Sequence, residues 1–165
     1  MDELRLPTAL ECSRCVLVAG AGGGFDVYAG LPIYERLRSL GKKVFLANLS
    51  FVSLGNTNAQ ALTRALHVVE PTTTGEDLYF PERALAQFLS GRGENVRVYA
   101  FDKLGVAPVR DAYTHLVQSL GLDAIVLVDG GTDVGTAVGS KLKSPVFVAS
   151  EMSGFKVVPA PKGWG

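Results

Sequence analysis

Residues 14–26, RCVLVAGAGGGFD, decide the fold. The apolar run from Cys15 to Ala19 has the length of a strand and feeds straight into Gly20-Ala21-Gly22-Gly23-Gly24 and then Asp26. A strand that ends in a glycine cluster and turns into a helix leaves several backbone N–H groups unpaired at one spot. Glycine allows close approach and positive φ there, and the helix dipole adds partial positive charge. The spot therefore suits an anionic group.

Working outward from this stretch, strand and helix signals alternate regularly. Residues 14–19 and 43–49 (KVFLANL) read as strands, separated by a helical pattern that stops at Gly41. Pro32 belongs near the start of that helix, after a one-turn or irregular lead-in from Asp26. A short helix over about 58–65 is expected next, then a buried strand at 66–69 (LHVV) and a loop at 71–80 (PTTTGEDLYF). Pro81 opens a helix closed by Gly91 and Gly93, and 96–101 (VRVYAF) is a strand. Residues 108–120 form a helix with Ala112, Leu116 and Leu120 on one face. AIVLV at 124–128 suits a central parallel strand covered on both faces, and 145–149 (PVFVA) is one more strand.

This alternation predicts an α/β fold. The expected form is a doubly wound, mostly parallel sheet of about five to six strands with helices on both faces, Rossmann-like. Residues 1–150 form its single domain. Residues 151–165 (EMSGFKVVPAPKGWG), with two prolines and no usable period, read as an irregular C-terminal tail.

Composition narrows the function. Sixteen basic residues balance sixteen acidic ones in a chain of 165, so there is no electrostatic footprint for nucleic acid or an anionic membrane. The N-terminus MDELRLPTALE is unlike a signal or transit peptide, and no apolar stretch approaches the ~20 residues of a spanning helix. A cytoplasmic location is the expectation. Cys12 and Cys15 form a CxxC that precedes its strand rather than opening a helix, which reads as two ordinary residues rather than a redox pair.

In a doubly wound sheet ligands bind beyond the carboxyl ends of the strands. Asp26, Asn48, Ser50, Glu70, Asp102 and the loop Asp129-Gly130-Gly131-Thr132-Asp133 all fall at such ends. The candidate ligand-binding residues are Gly20, Gly22, Gly23, Gly24, Asp26, Asn48, Gly130, Gly131 and Thr132. Asp26, Asp129 and Asp133 are candidate ligands for a divalent cation such as Mg²⁺ bridging to a phosphate. The same residue types also cap helices and stabilise turns at these boundaries. Gly20-x-Gly22 starts a dinucleotide fingerprint, but Phe25 stands at the sixth position, and no lysine follows as in a nucleotide-hydrolase phosphate loop. Ser50, Ser53 and Thr132 have no histidine near in sequence, and His67 and His115 read as structural.

At these residues the chain resembles a family of uncharacterised archaeal and bacterial proteins grouped as domain of unknown function 1152. The likeness is carried by residues 16–51, by YFPERALAQFL (79–89) and above all by GLDAIVLVDGGTD (121–133). It implies a Rossmann-like α/β fold and no particular activity. In that family a serine, an acidic GDE motif and a long further half follow VDGGTD. Here Asp133 runs into VGTAVGSKLKSP, as in a shortened member or one with a replaced C-terminal part. Gly20 to Tyr34 is also similar to the NAD-binding loop of sirtuins, with spacing two residues longer. Two cysteines cannot supply the sirtuin zinc site, so NAD or a related nucleotide is implied as ligand at most.

Two readings follow. One is a small-molecule-binding domain, an enzyme or enzyme fragment, taking a nucleotide or other phosphorylated ligand with Mg²⁺ or NAD as candidate cofactors. The other is a non-catalytic scaffold or interaction domain whose glycine loops are structural. Self-association, as a homo-oligomer, is expected in either case if a sheet edge is left uncovered.

Overall fold

The structure is a computed structural model that describes residues 8–75, 78–129, 146–150 and 156–159. It is a mixed α/β protein. A short helix α1 (Thr8–Glu11) leads into β1 (Cys15–Gly20), then α2 (Asp26–Ala29), α3 (Leu31–Ser39) and β2 (Lys43–Leu49). Strands β3 (Gln60–Thr63) and β4 (Leu66–Val69) precede α4 (Pro81–Gly91), β5 (Val98–Phe101), α5 (Val106–Leu120) and β6 (Ala124–Val128). Strands β7 (Val146–Ser150) and β8 (Lys156–Pro159) follow.

Strands β1 to β6 lie in the order β3-β4-β5-β2-β1-β6, and β7 and β8 extend the sheet beyond β6. The centre is parallel: β1 pairs with β2 and β6, and β2 pairs with β5. Both flanks are antiparallel, through β3–β4–β5 on one side and β6–β7–β8 on the other. The sheet is therefore mixed, with a parallel centre and antiparallel flanks.

Apolar residues alternate along the central strands with the period of a pleated sheet. Val16, Val18, Leu46, Val98 and Val126 pack with Val27, Leu37, Leu85 and Leu89 from α2, α3 and α4. Leu17, Ala19, Ala47, Phe101 and Ile125 face Ala112 and Leu116 of α5 on the other side. Helices thus cover both faces. At the amino ends, Asp123 accepts hydrogen bonds from the Arg14 and Cys15 amides and fixes β6 against β1. Among the described residues no helix is long and apolar enough to cross a membrane.

Two sequence expectations need correction. Residues 58–65 do not form a helix; Gln60–Thr63 is a strand, turned at Arg64-Ala65 onto β4. A two-residue connection can join only antiparallel neighbours. Fully buried β4 finds a partner on each edge this way, and tertiary pairing overrides the local helix preference of Gln, Ala and Leu. The second correction concerns the tail: Lys156–Pro159 is a strand at the sheet's margin, with Pro159 as its last residue. Proline is tolerated there because an edge strand need not donate on both sides. Residues 151–155 and 160–165 lie outside the described residues.

Deleting residues 151–165 should remove the β7–β8 pairing and leave β7 as a bare edge. We expect a lower Tm, by about 2–4 °C for each kcal/mol lost, with concentration-dependent association in sedimentation. An unchanged Tm would show that β8 adds nothing to the fold.

Candidate functional site

The carboxyl ends of β1, β2, β5 and β6 meet at the turn after Gly20. Gly20 ends β1 where no side chain fits: a Cβ there would fall against Asn48 Oδ1 and within 2.6 Å of the Val27 amide. The next amide, Ala21 N–H, donates to the Val128 carbonyl at 2.8 Å and ties the loop to the end of β6. Gly23 and Gly24 then take φ values of +95° and +64°, a conformation that disfavours any residue with a Cβ. Asp26 opens α2, its amide bonded to the Gly23 carbonyl at 3.3 Å.

Two carboxylates converge on this turn. A Cβ at Gly22 would collide with Asp26 Oδ2 and lie 3.0 Å from Asp129 Oδ1. Gly22 itself is exposed, Asp26 is buried and Asp129 half-buried. Residues distant in sequence, one after β1 and one after β6, are thus brought to one point. The chemistry of that point differs from a bare anion cradle: two adjacent carboxylates repel an isolated phosphate, whereas a hard divalent cation suits their oxygens. Among the described residues, no three His, Cys, Asp or Glu side chains gather into a metal cluster. Gly130, Gly131, Thr132 and Asp133, the other candidates, lie outside the described residues.

Asn48 has a different place from the one its position at a strand end suggests. It is fully buried, and its side-chain amide donates to the Gly24 carbonyl at 2.7 Å and to Glu82 Oε1 at 2.8 Å. Its donor is committed to holding the glycine turn rather than facing a ligand. Glu82, in the first turn of α4, is also fully buried. Burial pushes its carboxyl above the usual range, against the opposing pull of its own backbone N–H, Asn48 and Ser50. Sequence reasoning missed this residue. In FPER, a glutamate just after a helix-opening proline reads only as a charge suited to the helix dipole.

Aromatic rings close over the turn. The Phe51 ring would lie 2.7 Å from a Cβ at Gly23, and the Tyr79 hydroxyl 2.8 Å from one at Gly24. Phe25 stacks edge-on against Tyr28 and Tyr79, with centroids 5.4 and 5.3 Å apart. Phe25, Phe51 and Tyr79 all remain exposed, and Lys103 Nζ sits 3.4 Å above the Phe51 ring. On the α5 side of the same strand ends, a cavity of about 390 Å³ opens beside Gly20 and Ala21.

The remaining candidates are placed elsewhere or held in structural contacts. Ser50 is buried and its hydroxyl accepts from the Val52 amide. Glu70 pairs with Arg97 at 3.1 Å. Asp102 lies 3.3 Å from His67 Nδ1, a pair that sequence separation hid; burial raises the Asp102 carboxyl and the histidine opposes that shift. Cys12 and Cys15 are free thiols, and Cys15 Sγ donates to the Leu120 carbonyl. No protein-family model, curated protein or solved structure matches the chain.

The raised Glu82 carboxyl has a thermodynamic consequence. The unfolded chain ionises this group near the ordinary range of ~4.3, while the folded chain still holds the proton. The native state then binds more protons, so stability falls as pH rises through that interval. Glu82→Gln removes the titration and keeps an acceptor for Asn48. In urea denaturation its stability relative to wild type should climb from pH 4 toward neutrality, by at most about 1.4 kcal/mol per pH unit. Parallel pH profiles would mean that Glu82 ionises freely in the native protein.

Proposed function

We propose that the chain is a Rossmann-like, doubly wound domain that binds a nucleotide or other phosphorylated small molecule at the turn after β1. The strand order supports this reading. From β1 the chain moves outward to β2 and β5, then returns to place β6 on the other side of β1. A crevice at such a reversal is where open α/β sheets take ligands. The observation that carries the proposal is the convergence of Asp26 and Asp129 on Gly22 at that crevice. Asp26 and Asp129 would hold Mg²⁺, which would offset their charge and let a phosphate bind beside the exposed Gly22. Membership of the family grouped as domain of unknown function 1152 is proposed with it, on the likeness of residues 16–51 and 121–133. Binding without turnover fits best, because among the described residues of the site no hydroxyl or thiol stands beside a histidine as an activated nucleophile.

The second reading, a scaffold with structural glycines, draws on one observation. The Phe51 ring and the Tyr79 hydroxyl already occupy the space above Gly23 and Gly24, so packing alone accounts for those two residues.

A thermal-shift series separates the two. Nucleotides and sugar phosphates with Mg²⁺ should raise Tm; at one hundred times Kd the native state gains about 2.7 kcal/mol, or roughly 5–10 °C. Asp26→Asn and Asp129→Asn should each lose the Mg²⁺-dependent part of that rise. Gly22→Ala should lose it as well, because the new methyl displaces the Asp26 carboxylate. If no phosphorylated compound moves Tm at any Mg²⁺ concentration, the scaffold reading stands.

A further inference from the structure

The cavity beside Gly20 and Ala21 has a composition that selects its occupant. Its walls come from Phe101 and Leu127 near the carboxyl ends of β5 and β6, from Ile125 deeper in β6, and from Val109 and Tyr113 of α5. The Tyr113 ring stacks on Phe101, with centroids 4.4 Å apart and planes 27° apart, and this contact props α5 against the sheet. Beyond the prop the first turn of α5 stands away: Val106 is 86% exposed and Val109 half-buried. At about 390 Å³ the chamber falls within the range of small-molecule pockets.

Among the lining residues the one charge is Arg110, at the mouth. Its only ion-pair partner among the described residues is its chain neighbour Asp111 at 3.6 Å, and both side chains are 70% exposed. Apart from the Tyr113 hydroxyl and Arg110 at the mouth, no lining side chain can meet the polar edge of a heterocycle, and none can accept from its N–H groups but Tyr113. A nucleobase pushed into this chamber would leave N–H and C=O groups buried without partners, which is strongly discriminated against. A hydrocarbon group incurs no such loss.

We infer that the chamber under α5 binds the hydrocarbon part of an anionic amphiphile, an aliphatic or aryl-alkyl acid whose anionic head pairs with Arg110. The chamber shares Gly20 and Ala21 with the β1 turn but neither Gly22, Asp26 nor Asp129, so the inference stands apart from the proposed phosphate site and names its own ligand class, carboxylated or phosphorylated molecules with an apolar body. The head group is held by a guanidinium, whose planar fork matches carboxylate and phosphate alike.

Calorimetric titration with butanoate, hexanoate and octanoate tests it. Affinity should rise about fourfold for each added methylene, and 1-hexanol should bind about two- to fivefold more weakly than hexanoate. Arg110→Gln, at an exposed position, should erase the difference between acid and alcohol without changing the chain-length trend. Val109→Trp, checked for folding by circular dichroism, should block all of these ligands. Asp26→Asn should leave the series untouched, so failure of the metal-assisted phosphate site and failure of this chamber are read separately. A flat chain-length series, undiminished binding by a folded Val109→Trp, or adenosine outcompeting hexanoate would overturn the inference.

Discussion

The buried amide of Asn48 reaches two partners at once, the Gly24 carbonyl and the Glu82 carboxyl, and so joins the end of β2, the glycine turn after β1 and the first turn of α4. All three groups lie away from water, where a lost partner leaves a buried polar atom unsatisfied at a cost of about 1–3 kcal/mol. The turn therefore cannot drift without breaking the network. Gly20 lets Asn48 approach, since any side chain there would occupy the same space. The position of Gly22 and of Asp26, and so the geometry of the candidate site, follows from this one connection.

The network also divides the glycines by role. Gly20 serves close packing, and Gly23 and Gly24 serve the positive-φ turn beneath Phe51 and Tyr79. Gly22 remains exposed between two carboxylates. An anion alone is poorly matched to that point; an anion with a divalent cation is well matched. Across Gly20 and Ala21 the surface changes character to the apolar chamber under α5. A ligand spanning the crest would meet charge on one side and hydrocarbon on the other.

The sequence made the long, strongly patterned elements legible. The apolar run of β1, the proline-opened helices α3 and α4, and the fully apolar β6 carry their own start and stop signals. The β3–β4 hairpin did not, because residues 58–65 hold good helix formers and no glycine or proline at the turn. Its strand exists to pair the outer edge of β4, a tertiary fact that local composition does not encode. The same limit applied to the site. Asp26 and Asp129 were readable as acids beside glycines, but the inward commitment of Asn48 and the burial of Glu82 depend on α4 packing over the end of β2. The antiparallel flanks were missed for a related reason: a helix between β4 and β5 suggests a parallel crossover, yet these two strands run in opposite directions.

Under the proposed function, a ligand and its cation would meet the protein at the turn over Gly22. Paramagnetic broadening by Mn²⁺, standing in for Mg²⁺ in an amide-resolved NMR spectrum, reads that location directly. With a phosphorylated ligand present, the account predicts loss of signal centred on Gly22, Asp26 and Asp129, with amides at the amino ends of the strands, such as Cys15 and Val44, unaffected. Broadening centred elsewhere, or spread evenly over surface carboxylates, would contradict it.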